Sequence, residues 1–200
     1  KTPANPTQPS TVEAATGYHF ASWTSGDESY ESDAALKAAS FTESREFTAN
    51  FEADAQTYVV QHIDEDTNEV LDTDAAKGTT YGAVIKGTDH KKEIEGYTFV
   101  KADDLTVGTD NEANIVKVYY SKDVTGPEDP DEGDGIPDKY QITFTYKSGD
   151  ESKGTVTGTV KEVFTIQTIE RDKDTGVITN VGEKTPANPT QPSTVEAATG

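Results

Sequence analysis

The sequence predicts a β-rich α+β fold, laid out as small domains in tandem. Three observations predict it. Seventeen residues, KTPANPTQPSTVEAATG, occur twice without a change, at Lys1–Gly17 and again at Lys184–Gly200. Tyr, Phe, Val, Ile and Thr recur in short alternating runs, the period of a half-buried strand. An acidic stretch with Pro and Gly, residues 123–138, separates two groups of such runs.

The repeat sets the organisation. Its copies start at 1 and 184, so the internal period is 183 residues. Perfect identity over that distance reads as a recent duplication of whole domains. The chain also holds no methionine. It is therefore expected to be a window on a longer repetitive protein, slightly more than one repeat wide.

Each element follows from local pattern. Prolines at 3, 6 and 9 favour extended backbone over residues 1–11. "YHFASW", Tyr18–Trp23, alternates as a strand does. The polar run after it has one short helix near Asp33–Ala39, with Asp33 as the expected N-cap. "REFTANFEAD" alternates again, with Phe47, Ala49 and Phe51 on one face. "TYVVQHID" is a strand that ends in a turn at Asp64–Glu69. "AVIKGTDHKKEIEGYTFVKA" starts as a helical turn and ends as a strand at Tyr97–Lys101. "NIVKVYYSKD" places Ile115, Lys117 and Tyr119 on one face and Val116, Val118 and Tyr120 on the other. "KYQITFTYKSG" is a strong strand, and "RDKDTG" at Arg171–Gly176 reads as a hairpin turn.

Composition narrows the function. The formal net charge is −20. Such a surface repels nucleic-acid phosphates and anionic membranes, and it suits divalent cations. There is no cysteine, which excludes disulfides, zinc–thiolate sites and thiol nucleophiles. No apolar run approaches the roughly 20 residues of a membrane span, so no direct membrane insertion is expected in this segment. Asn5 and Asn188 are each followed by Pro, so neither forms a glycosylation sequon.

Two family resemblances rest on quoted residues. "YVVQHIDEDTNEVL", "GTTYG", "EIEGYTFVKA" and "IVKVYY" occur in order, and residues 55–122 resemble the MucBP (mucin-binding protein) domain. Thr67 stands where that family's turn usually has Gly. "YQITFTY", "GYHFASW" and "REFTANFEAD" resemble the internalin-type B repeat (Listeria–Bacteroides repeat), with an inserted hairpin around 161–183 as a departure. Residues 1–54 then read as the C-terminal part of one B-type repeat and 139–200 as the N-terminal part of the next. Residues 123–138 read as an acidic linker. Both resemblances imply β-grasp-like domains in an elongated, beads-on-a-string arrangement. Both imply a cell-wall-anchored, extracellular protein of Gram-positive bacteria.

Candidate sites are few. Asp129, Asp131, Asp134 and Asp138 crowd one loop with Gly133 and Gly135, and clustered carboxylates with backbone carbonyls are calcium chemistry. A solvated acidic linker is the competing reading. The resemblance also suggests a Lys–Asn isopeptide bond, for which Lys147 and Asn50 are the candidates. Trp23, Tyr18 and Phe20 read as core rather than as a sugar-stacking platform. His19, His62 and His90 are scattered. No nucleophile elbow, phosphate loop or carboxylate pair appears, so no enzyme is expected.

The leading expectation is a stalk or adhesin segment whose partners are neighbouring repeats of the same protein. An alternative is mucin or host-glycan binding by residues 55–122. A second alternative is a subunit of a self-assembling surface filament, since halves of a repeat held by one chain invite completion by another.

Overall fold

A computed structural model describes residues 1–7, 12–190 and 194–198. Pro9, and with it the end of the extended stretch expected at 1–11, lies outside the described residues. The chain is β-rich, with several small antiparallel sheets and one short α-helix among the described residues. It forms two compact units that alternate along the sequence. The first is Lys1–Val59, Ala75–Ile85 and Leu105–Ile115; the second is Val60–Asp74, Lys86–Asp104 and Val116–Gly200.

In the first unit, β1 (Tyr18–Ser25) lies between β2 (Glu28–Tyr30) and β3 (Thr48–Ala53). Helix α1 (Asp33–Ala38) follows β2. Its cap is Ser32, not the expected Asp33. Ser32 is extended, at φ −160° and ψ 161°, and its Oγ accepts from the Ala35 amide. Asp33 sits one residue inside, where its charge favours the helix N-terminus and its carboxylate accepts from the Trp23 indole at 2.7 Å. Trp23 and Leu36 are buried, so Trp23 is core, as the sequence suggested, whereas Phe20 is half-buried and Tyr18, expected in the core with them, is exposed at the start of β1. The first half of β4 (Ala55–Asp64) pairs with β6 (Lys77–Thr80). A two-residue pair, β7 (Val84–Ile85) with β9 (Leu105–Thr106), completes the unit.

In the second unit the strand order is β5 (Val70–Thr73), the second half of β4, β10 (Ile115–Lys122), β8 (Tyr97–Ala102). Val116, Val118 and Tyr120 are buried along β10 while Lys117 is exposed, the alternation the sequence predicts. The turn at Asp64–Glu69 is closed by the Asp64 carboxylate, which accepts from the Asp66 and Thr67 amides. The left-handed position falls on Asn68, at φ 62°. Thr67 therefore needs no glycine-like conformation. A 3-10 turn at Gly87–His90 precedes β8.

After residue 138 the described residues of the second unit form three ribbons. β11 (Gln141–Thr145) pairs with β13 (Lys161–Thr165). β12 (Gly154–Thr157) pairs with β16 (Thr194–Ala197). β14 (Ile169–Arg171) pairs with β15 (Ile178–Val181) around the expected hairpin turn. There the Asp172 carboxylate accepts from the amides of Asp174 and Thr175, and Gly176 takes φ +77°.

Candidate functional site

A bonded polar construction in the second unit is built around residues 123–138. Composition marks this stretch as a linker, yet it is tightly bonded to itself and to its neighbours. Asp123 follows β10 and is buried. Its Oδ1 accepts from the Asp134 amide at 3.0 Å and its Oδ2 from the Gly135 amide at 2.8 Å. Its own amide donates to the Gly96 carbonyl at 2.9 Å. Burial pushes the Asp123 carboxyl above the usual carboxylate range, against the pull of those two amides, and Asp134 and Asp138 push it the same way. Gly133 has to be glycine: a Cβ there would lie 2.5 Å from the Asp123 carbonyl oxygen.

Arg171, at the end of β14, ties this loop to two other segments. Its Nη1 donates to the carbonyls of Phe99, on β8, and Gly176, in the hairpin. Its Nη2 donates to Thr98 Oγ1 and to the Gly135 carbonyl at 2.9 Å. One planar fork thus spans an outer strand of the sheet, the acidic loop and the hairpin, a geometry that suits guanidinium and not ammonium. Lys139 makes a second tie. Its ammonium meets Glu65 at 2.9 Å and Asp66 at 2.8 Å in the β4–β5 turn. Burial alone pulls the Lys139 ammonium down, but Asp66 and Glu65 outweigh it and hold it above its ordinary value.

The four sequence-chosen aspartates are engaged individually. Asp138 accepts from the amides of Val124 and Thr125 and from the Thr125 hydroxyl. Asp134 accepts from the Ile136 amide and from Gln141 Nε2. Asp129 accepts from the Asp131 amide, and Asp131 pairs with Lys161. Among the described residues no three His, Asp or Glu side chains gather as a metal shell requires. Asn50 lies on β3 in the first unit, its amide donating to Ser22 and Thr24 oxygens. Lys147 lies in the second unit, beside β12.

Next to Arg171 an open cleft of about 850 Å³ is lined by Lys91, Lys92, Ile94, Tyr97 and Phe99. Lys91 donates to the Thr175 carbonyl and lies 5.8 Å from the centre of the Phe99 ring. Behind the cleft runs a closed hydrogen-bond ring. The Lys92 amide donates to the Tyr120 hydroxyl at 3.0 Å. Tyr120 meets His62 Nδ1 at 3.1 Å, and His62 Nε2 meets Asp74 at 3.3 Å. The Lys92 ammonium returns to Asp74 at 2.7 Å. A neutral imidazole with its proton on Nε2 satisfies every one of these contacts. Burial, with Lys92 nearby, holds His62 below its ordinary value, against the opposing pull of Asp74.

Neither Arg171 nor this ring is legible in the sequence as a site. Arg171 carries only a hairpin signal, and its four acceptors lie between 5 and 73 positions away. Compared with protein families, curated proteins and solved structures, the chain matches none.

Proposed function

We propose that this chain is a segment of the repetitive stalk of a bacterial cell-surface protein, in which folded joints keep successive domains extended away from the cell wall. The observation that carries the reading is the Arg171 fork, which bonds a stretch of linker composition to β8 and to the β14–β15 hairpin. A flexible tether would leave such a stretch solvated. The unchanged seventeen-residue segment supports repetition, with length as the useful quantity. The net charge of −20 supports a self-repelling, soluble exterior. Neighbouring repeats are the partners in this reading.

Small-angle scattering on proteins of one, two and four repeats tests it. The account predicts a maximum dimension that grows in proportion to repeat number. Growth near the square root of repeat number, the behaviour of a flexible chain, contradicts it. The cleft at Tyr97 and Phe99 favours a second reading, glycan binding by residues 55–122 of a cell-surface adhesin, and that reading would then lead.

A further inference from the structure

Two cations in the second unit meet at one hairpin with no carboxylate bonded to either. The Lys91 ammonium donates to the Thr175 carbonyl at 2.9 Å. The Arg171 guanidinium donates to the next carbonyl along, that of Gly176, also at 2.9 Å. The two charges are thus held against successive peptide units of one turn. Among the described residues Lys91 bonds that carbonyl and faces the Phe99 ring, with no ion pair. Every acceptor of Arg171 is a carbonyl or a hydroxyl, and its bonds use the two Nη atoms, so its Nε–H has no acceptor among the described residues. Lys92 differs, since Asp72 and Asp74 pair with it.

Like charges this close repel, and the chain has 37 acidic side chains for 17 basic ones. None of the 37 is spent here. Burial pulls the Arg171 guanidinium below its ordinary value, against the opposing pull of Asp123. The Asp123 oxygens, however, are already held by the amides of Asp134 and Gly135.

Both cations line the open cleft beside the hairpin, and all of its walls belong to the second unit. Ile94, Tyr97 and Phe99 supply its apolar wall. Gly176 leaves the corner open, where a Cβ would lie 3.4 Å from the Lys91 ammonium and 3.8 Å from the Phe99 ring. Glu93 and Glu95 also line the cleft and are exposed. They repel a polyanion, and they can accept from hydroxyl groups. A cleft of about 850 Å³ takes a ligand of one or two sugar rings.

We propose that this cleft binds an acidic sugar, a hexuronate whose ring lies against Tyr97 and Phe99 and whose carboxylate takes the Lys91 ammonium and the Arg171 Nε–H. The carboxylate of a hexuronate is equatorial, so a ring laid along the apolar wall presents it sideways to the cations. In a sialic acid the carboxylate shares its carbon with the glycosidic bond and is not presented in that way. A single carboxylate also neutralises the pair without overcoming Glu93 and Glu95. The site rests on the glycan reading of this cleft and is independent of the stiffness of the joint.

The test is a nuclear magnetic resonance titration of the full chain, read at backbone amides. The ligands are methyl glucuronide and methyl glucoside, which differ only in carboxylate against hydroxymethyl. Saturable shifts at Lys91, Phe99 and Gly176 are expected with the glucuronide, with affinity roughly tenfold above that for the glucoside, the scale of one charge-assisted hydrogen bond. Lys91→Gln removes one charge at an exposed position. It is expected to lose most of that preference while the rest of the amide spectrum stays in place. A preference that survives Lys91→Gln unchanged overturns the proposal. Equal affinity for the two sugars at these amides overturns it and leaves a neutral-glycan cleft standing. Acetate that binds as tightly as the glucuronide, or a methyl sialoside that binds more tightly, overturns the hexuronate assignment. No shift from any of these ligands at tens of millimolar overturns it together with the glycan reading. None of these outcomes bears on the scattering test of the stalk.

Discussion

His62 is the clearest single-residue lesson in this chain. As a lone histidine in "YVVQHID" it carries no ligand spacing. In the structure it is buried between Tyr120 and Asp74, in a ring closed by Lys92. Adding a proton at Nδ1 turns an acceptor into a donor, and the Tyr120 hydroxyl proton then loses its acceptor in the ring. The folded value lies below the unfolded one, which is about 6.5. The unfolded chain thus binds more protons as pH falls below that value, and stability drops in that direction. The melting temperature of the wild type is expected to fall between pH 7 and pH 5. His62→Gln is expected to show a flatter profile over that range, since carboxylates such as Asp66, held low by Lys139 and Ser121 against the upward push of burial, titrate further down. Parallel profiles would contradict the ring.

At the scale of elements, the chain shows what pattern can and cannot specify. The strand β10 was legible because its alternation is strict and one face is buried. The turn at Asp64–Glu69 was legible because Asp and Asn build it locally. The "VEA" of the repeated segment was not. It is strand in β16, opposite β12, and has no strand assignment at residues 12–14. Identical residues differ because a strand exists only with a partner to complete its hydrogen bonds. The helix cap moved from Asp33 to Ser32 for a tertiary reason, since Trp23 takes the Asp33 carboxylate. Of the candidate sites, the four aspartates were visible as composition, but Arg171, which ties their loop in place, was not. Where β1 begins, Gly17 takes φ +83° and a Cβ would sit 2.3 Å from a ring carbon of Tyr81. Gly17→Ala is expected to cost about 1–3 kcal/mol, read from denaturant midpoints. A change below about 0.5 kcal/mol would show that this approach of Tyr81 is not held in solution.

At the scale of the whole molecule, the account turns on whether the stretch 123–138 is a joint or a tether. Its composition says tether, and its bonding says joint. Protein donors already occupy the carboxylates of Asp123, Asp134 and Asp138. The account therefore places the lock in Asp123 and Arg171, with calcium as the competing lock that the acidic loop suggested. The chain has no cysteine, so Lys117→Cys and Thr179→Cys, both exposed, give two unique sites for spin labels on either side of the loop. The most direct measurement is the distance distribution between them by pulsed electron resonance, in calcium and in chelator, with and without Arg171→Ala. The account predicts one narrow distribution that calcium does not change and that Arg171→Ala broadens. A broad distribution in the unaltered joint, or one that narrows only when calcium is added, would contradict it.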